Sequence, residues 1–249
     1  MVRFGLIGHP LGHSFSKTYF SEKFDREGID ACYENFDVDN LEALRTLLQQ
    51  HPDLCGVNVT IPYKEAILPY LDILDPVAAE VGAVNTVKVM GNGQLKGYNT
   101  DVIGIEKTLH GDHAMHLLWL NKPFALLLGT GGASKAVQYV LKKMGLPYHI
   151  VSRSIERGHY TYTDVTPEII QNHQLIINAT PVGMAPHFNE APMIPYEALT
   201  TEHVLFDLIY NPEETRFLKH GREQGATIIN GLTMLHAQAE ASWAIWNQL

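Results

Sequence analysis

Three short segments of this chain place polar residues where a buried core would be apolar. In GHPLGHSFSK, Ser14 and Ser16 stand just before a helical pattern. Hydroxyls beside the free N–H groups of a helix N-terminus suit a carboxylate, although a serine in that place also serves simply as an N-cap. In GVNVTIPYKEAI, Asn58 and Thr60 alternate with Val57, Val59 and Ile61, so they share one face of a strand; Pro62 ends the strand and Lys64 follows. GAVNTV and KGYNTDVIG bring Asn85, Asn99, Thr100 and Asp101 to turns or element ends. A lysine ammonium can deliver a proton and stabilise a negative oxygen, and a carboxylate beside it favours the charged form of both. Taken singly, Lys64 also reads as an exposed helix lysine and Asp101 as a first-turn helix residue.

A fourth segment handles phosphate. FALLLGTGGASKAV runs from a buried strand into Gly129-Thr130-Gly131-Gly132-Ala133-Ser134 and then into a helix. Glycines let the backbone turn tightly and approach a pyrophosphate, and the helix N-terminus supplies N–H groups and a positive dipole end. The surrounding strand–turn–helix–strand pattern is the dinucleotide-binding arrangement. The third position of the fingerprint is Ser134 rather than Gly or Ala. The next strand ends in Ser152-Arg153-Ser154, with Arg157 beyond, where an NAD site would carry an acidic residue for the ribose 2′-hydroxyl. A guanidinium holds a phosphate bidentately, so this strand end predicts a 2′-phosphate pocket and hence NADP.

The elements that must position these residues follow from periodicity. Val2 to Gly8, Ala31 to Phe36 and Cys55 to Thr60 read as strands. Ser16 to Glu27, closed by Gly28, and Leu41 to Gln50, with Asn40 as N-cap, read as helices, as does a stretch from about Lys64 to Leu71. This βαβαβ rhythm implies parallel strands. Thr86 to Met90 and Gln94 to Tyr98 flank Gly91-Asn92-Gly93 as a hairpin, and a helix starts after Thr100 or Asp101. A second series follows: strands at Phe124 to Leu128, Tyr148 to Ser152, Leu175 to Asn178, Val204 to Ile209 and Ala226 to Ile229, and a helix from Ala133 to Met144. A final amphipathic helix begins at Thr233 and carries Leu235, Ala239, Trp243 and Trp246, the tryptophans as packing residues. The fold class is α/β with two α/β domains and a cleft between them for two substrates.

Composition agrees with a folded protein: 249 residues, 45% hydrophobic and 18% charged. A formal net charge of -9 argues against nucleic acid or anionic membrane as a partner. Cys32 and Cys55 make neither a disulfide framework nor a zinc site, which suits a reducing, cytoplasmic compartment. The start, MVRFGLIGHPLGHS, lacks the apolar core and cleavage site of a signal peptide, and Leu117 to Leu128 is too short and too interrupted to cross a bilayer.

In order along nearly the whole chain, GHPLGHSFSK, NVTIPYK, GAVNTV, GYNTD, GTGGASKA, SRS, INATPVGM, FDLIYNP and GLTMLHAQA resemble the shikimate dehydrogenase family. The resemblance implies reversible NADPH-dependent reduction of 3-dehydroshikimate to shikimate, in chorismate and aromatic amino-acid biosynthesis. It implies Lys64 and Asp101 as the catalytic pair. Ser14, Ser16 and Tyr210 fall near the substrate carboxylate, and Asn58, Thr60, Asn85 and Gln238 on substrate hydroxyls. Asn178, Ala179 and Thr180 fall near the cofactor, with Leu208 and Gly231 bracketing the nicotinamide. It implies a substrate domain over residues 1–101, with 231–249 packing back onto it, and a Rossmann-like NADP domain over 102–230. That second domain is expected to be trimmed, because RGHYTYTDVTPEIIQNHQ is short for the helix and strand usual there. Family members are monomers or homodimers.

Two other readings remain open at this level. A quinate/shikimate dehydrogenase would use the same scaffold, and a non-catalytic binding module would keep the fold without turnover; Lys64 and Asp101 disfavour the module. His110, His113 and His116 drift off one helix face and predict a solvated surface rather than a metal site, and His9 and His13 serve loop hydrogen bonding.

Overall fold

A computed structural model describes residues 1–12, 14–111 and 123–248. It divides into two compact units, Met1–Thr100 with Ala239–Leu249, and Asp101–Gln238. In the first unit the chain runs β1 (Val2–Gly8), α1 (Phe15–Glu27), β2 (Ala31–Asp37), α2 (Ala43–Gln50), β3 (Leu54–Val59), α3 (Tyr63–Ala66), β4 (Ile73–Leu74), α4 (Pro76–Val81), β5 (Thr86–Val89) and β6 (Leu95–Tyr98). One sheet results, in the order β2-β1-β3-β5-β6-β4. β1 is parallel to β2 and β3, as the βαβαβ rhythm requires, and β3, β5 and β6 are successively antiparallel through the Gly91–Gly93 hairpin.

Local chemistry sets the ends of the helices. Ser14 caps α1, its side chain accepting from the Lys17 N–H, and Gly28 closes the helix in the left-handed region at φ 63°. α2 departs from expectation. It begins at Ala43 behind Glu42, which makes no side-chain cap bond. The Asn40 side chain instead accepts from the Glu42 N–H at 3.0 Å, a local turn that delays the helix. The apolar stretch from Lys64 to Leu71 is one turn of α-helix followed by a 3-10 turn at Leu68–Tyr70, where Pro69 supplies no N–H.

The second unit holds α5 (Asp101–Gly111), β7 (Ala125–Leu128), α6 (Gly132–Lys143), β8 (Tyr148–Ser152), β9 (Tyr160–Thr161), α7 (Pro167–Gln171), β10 (Leu175–Asn178), β11 (Val204–Asp207), α8 (Arg216–Glu223) and β12 (Thr227–Ile229). Its sheet is wholly parallel, in the order β12-β11-β10-β7-β8-β9. That is the doubly wound dinucleotide-binding order, so the chain direction across the sheet reverses between β7 and β10. Parallel strands are covered on both faces, and Ala125, Leu126, Leu127 and Leu128 are accordingly all 0% exposed. The trimming is one of length. β9 survives as two residues beside β8, and a 3-10 turn at Ile155–Arg157 replaces the crossover helix between them.

The last helix, α9 (Leu232–Trp246), spans the division between the units, which falls at Ala239. Its Trp243 and Trp246 join Phe4, Phe20, Phe24 and Tyr33 in an aromatic cluster, with Trp246 stacked on Phe4 at 4.8 Å and its indole N–H donating to the Val87 carbonyl. Each such ring contributes about 1.5–3 kcal/mol on full burial. The helix end is therefore fastened to β1 and α1 by its apolar face. No described helix is long and apolar enough to cross a membrane.

Candidate active site

In the first unit the polar face of β3 is sealed into a knot of side-chain hydrogen bonds. The Asn58 amide N–H2 faces the Ser242 hydroxyl at 2.9 Å, the Thr86 hydroxyl at 3.2 Å and the Asn85 carbonyl at 3.3 Å. Its Oδ1 accepts from the Tyr33 hydroxyl at 2.8 Å. Asn85 Oδ1 accepts from the Thr100 N–H at 2.7 Å and from the Thr86 and Thr100 hydroxyls. Thr86, Thr100 and Ser242 hydroxyls lie within 2.8 to 3.2 Å of one another. All of these groups are buried. Buried polar groups are retained only when satisfied, so this network holds the β3 and β5 ends and the segment after β6 in one arrangement.

The two amide hydrogens of Asn58 face three protein acceptors, which leaves Oδ1 as the atom through which it could meet a ligand. Ser16 lies against the Tyr33 hydroxyl, whose ionisation is pushed far above its ordinary value by burial. Ser14 uses its oxygen as the α1 cap, at 3.1 Å from the Lys17 N–H, and keeps its own O–H to donate. Thr60 follows β3 directly, and Lys64 is half-buried on α3, its carbonyl accepting from the Val84 N–H at 2.7 Å. Asp101 is buried, 3% exposed, as the first residue of α5, one position beyond the anchored Thr100. Gln238, 8% exposed, precedes Ser242 by one helical turn on α9. The loop before α1 is steadied from β2: Asp37 accepts from the Leu11 N–H at 3.0 Å and meets His9 Nδ1 at 2.7 Å, and these bonds hold its carboxyl below the usual range.

In the second unit the candidate residues gather at the carboxyl ends of β7, β8, β10 and β11. Gly129 turns out of β7 at φ 107°, where a side chain would meet Thr180 and Ala179, so only glycine lets the turn after β10 close against it. A Cβ on Gly131 would meet nothing, and α6 begins there with neither a side-chain cap nor an acidic first-turn residue. The backbone N–H groups around Thr130, Gly132 and Ala133 are thus placed for an anion. Ser134 is 0% exposed, and its hydroxyl donates to the Gly129 carbonyl at 2.7 Å. The departure from the glycine fingerprint therefore closes the turn from inside rather than facing a ligand.

Arg153 and Arg157 are exposed, with no ion pair among the described residues. Buried Ser152 accepts from the Ser154 N–H at 3.3 Å, while the Ser154 hydroxyl donates to Glu156. Asn178 Oδ1 accepts from Thr180 at both its N–H and its hydroxyl. Gly231 donates to the Ile209 carbonyl at 3.0 Å, and a side chain there would collide with the Leu208 carbonyl. Leu208 and Gly231, far apart in sequence, thereby become neighbours, with half-buried Tyr210 just beyond.

Residues 6–87 match the family model described as the shikimate dehydrogenase substrate binding domain. The protein of Halothermothrix orenii named shikimate dehydrogenase (NADP(+)) is 36% identical, over 97% of this chain and 89% of its own length. The chain belongs to the shikimate dehydrogenase family. Among solved structures of the family, shikimate 5-dehydrogenase from Thermus thermophilus in complex with NADP(H) and shikimate is 34% identical. It has a TM-score of 0.86 and covers 100% of this chain and 94% of that one. A quinate dehydrogenase from Corynebacterium glutamicum in complex with NAD is 26% identical, with a TM-score of 0.84 over 100% and 94% of the two chains.

Within this family frame, the knot shows what sequence reasoning missed: Tyr33, Thr86 and Ser242. Thr86 adjoins Asn85, and Ser242 lies one helical turn from Gln238, a spacing that could have pointed to it; Tyr33 carries no local signal. Among the described residues no cluster of three or more His, Cys, Asp and Glu could hold a metal ion. His110, at the end of α5, approaches the Glu106 carbonyl through Nδ1 at 2.8 Å. His113, His116 and His13 lie outside the described residues.

Proposed function

We infer that this chain is an NADP-dependent shikimate dehydrogenase, an oxidoreductase that reversibly reduces the ring ketone of 3-dehydroshikimate to the hydroxyl of shikimate. The observation that carries the reading is the near full-length relationship to shikimate dehydrogenase (NADP(+)), 36% identical over 97% of the chain. The residues present fit the cofactor: a side-chain-free Gly131, the uncapped α6 N-terminus and two exposed arginines suit a dinucleotide with a 2′-phosphate. When bound, that cofactor supplies the hydride.

The chain supplies the rest. Gly129 to Ala133 cradle the pyrophosphate, with Ser134 bracing their turn. Ser152, Arg153, Ser154 and Arg157 take the adenosine 2′-phosphate. Asn178, Ala179, Thr180, Leu208 and Gly231 shape the other half of the site. Ser14 and Ser16, beside the α1 N-terminus, and Tyr210 receive the substrate carboxylate; Asn58, Thr60, Asn85 and Gln238 orient the ring hydroxyls. Lys64 holds the proton destined for the carbonyl oxygen and stabilises the charge that develops there, with Asp101 as its catalytic partner. The reading includes a cytoplasmic biosynthetic role, and the domain assignment of 1–101 for substrate and 102–230 for cofactor belongs to it.

Consumption of NADPH in the presence of 3-dehydroshikimate tests the proposal. Intact binding of both ligands without turnover would sink it in favour of a binding module. The likeness to a quinate dehydrogenase bound to NAD supports one variant, in which quinate is also oxidised. Arg153 favours NADP. The ratio of kcat/KM for shikimate over quinate, and for NADPH over NADH, separates the two; higher values for quinate and NADH would reverse the choice.

A further inference from the structure

Two carboxylates are buried among the described residues: Asp101, and Asp207 at 0% exposure. Asp207 has no part in the chemistry above, yet it ends β11 at the carboxyl edge of the second sheet. Its Oδ1 accepts from the Asn178 amide at 3.1 Å and from the Ile209 N–H at 3.0 Å, and its Oδ2 accepts from the Thr215 hydroxyl at 2.6 Å. Asn178 in turn fixes Thr180, and the Ile209 carbonyl takes the Gly231 N–H. One side chain thereby stitches the turn after β10 to the segment carrying Leu208 and Tyr210.

A doubly wound sheet binds a dinucleotide as two mononucleotide halves, one on each side of the point where strand order reverses. Arg153 places the adenosine half on the β7-β8-β9 side. The nicotinamide half then falls to the ends of β10 and β11, where Asp207 sits. The donors around Asp207 are an amide, a backbone N–H and a hydroxyl, with no cation among them. Tyr196, from the 3-10 turn Tyr196–Ala198, also feels it: its hydroxyl is itself pushed up, mainly by burial and further by Asp207 and Tyr162. A charge in low dielectric without a counter-ion acts over a longer range than one in water.

We propose that Asp207 is the positioning residue of the nicotinamide half-site, its buried anion clamping the Asn178–Thr180 turn to Leu208 and favouring the positively charged oxidised ring over the neutral reduced one. The inference rests on reading the second unit as an NADP site. Burial pushes the Asp207 carboxyl up to about 6, with Thr215, Ile209 and Asn178 opposing the rise, so at neutral pH it is charged and in mild acid it is not.

The test is the ratio of dissociation constants, NADP+ over NADPH, from NADPH fluorescence and its displacement by NADP+. Asp207→Asn keeps the shape: its amide oxygen still accepts from Asn178 and Ile209, and its N–H2 donates to Thr215. Loss of the charge is expected to raise the ratio on the order of tenfold. In the unaltered protein the ratio rises in the same direction as pH falls through about 6. The cofactor 2′-phosphate titrates nearby but is common to both forms and cancels. A ratio that stays constant in Asp207→Asn overturns the proposal. Should that variant fail to fold, a flat ratio across this pH range in the unaltered protein overturns it equally. Failure of the unaltered protein to bind either form would instead overturn the NADP reading itself.

Discussion

The candidate residues of the two units are held on opposite plans. In the first unit, side chains do the holding: Asn58, Asn85, Thr86, Thr100 and Ser242 are buried and bonded to one another, so each group's identity is written into its neighbours' satisfaction. In the second unit, backbone makes the surface and buried side chains, Ser134 and Asp207, brace it from behind. The turn at Gly129, the bare start of α6 and the carboxyl ends of parallel strands face outward, and the cationic candidates, Arg153 and Arg157, stand in solvent. A side-chain knot gives a rigid, sterically exact surface at a high cost for any change. A backbone surface tolerates changes around it, and on the proposed reading cofactor preference falls to a few exposed charges.

Substitutions can break this contrast. The largest effect is expected at Lys64: Lys64→Ala lowers kcat by roughly 10²- to 10⁴-fold, with thermal unfolding little changed because the side chain is only half-buried. A variant that keeps near-normal kcat removes Lys64 from the chemistry. Next, Arg153→Ala raises KM for NADPH roughly ten- to a hundredfold while leaving NADH unaffected. Added salt should shrink the NADPH advantage in the unaltered protein, since exposed charges are screened. Equal losses with both cofactors would show that the strand end does not read the 2′-phosphate.

Asn58→Ala probes the knot itself. It removes the acceptor of the Tyr33 hydroxyl and the amide that Ser242 and Thr86 share, opening the buried network at a cost of about 1–3 kcal/mol. Denaturant unfolding should therefore lose stability, while an equivalent change at Ser154, on the solvent side of the cradle, should not. Equal stability losses at the two positions would erase the distinction between the plans. The smallest effect concerns Glu156, which takes the Ser154 hydroxyl between the two arginines. Glu156→Gln can still accept from that hydroxyl but removes a negative charge beside the proposed 2′-phosphate pocket, and NADPH should bind a few-fold more tightly by fluorescence titration.

pH separates the units too. The folded Asp207 carboxyl, at about 6, lies above its ordinary value of 3.8. A raised pKa means this group's favourable contribution is complete below about pH 4, fades as pH rises to about 6, and is absent above. Asp207→Asn, which never charges, should accordingly unfold at a higher temperature than the unaltered protein at pH 8, and the difference should vanish near pH 4. A lower melting temperature at pH 8 would mean that the carboxylate's bonds outweigh its burial.

Much of this is legible because it is local. Strand alternation, the Gly28 cap, the Gly91–Gly93 hairpin and the strand–turn–helix at Gly129 depend on residues a few positions apart, and periodicity exposes them. Asn40 misleads as a cap because an Asx turn and an N-cap use the same residue types, and only the backbone path tells them apart. Ser134 reads as a defect in the glycine fingerprint; its inward hydroxyl, bonded to Gly129, makes it part of the turn. The short stretch after Arg157 suggests a missing strand, yet two residues suffice for β9 because β8 already presents a finished edge.

The sequence by itself determined the α/β class, the order of elements, the glycine-rich strand–turn–helix and the segments that carry polar residues, since each follows from spacing along the chain. Tertiary structure alone decided which of those polar residues are locked together. Ser242 meets Asn58 across 184 positions, and Asp207 meets Asn178 across 29. No local rule encodes such pairs. They exist because burying a polar group without a partner is too costly, and the fold is the arrangement that brings those partners within reach.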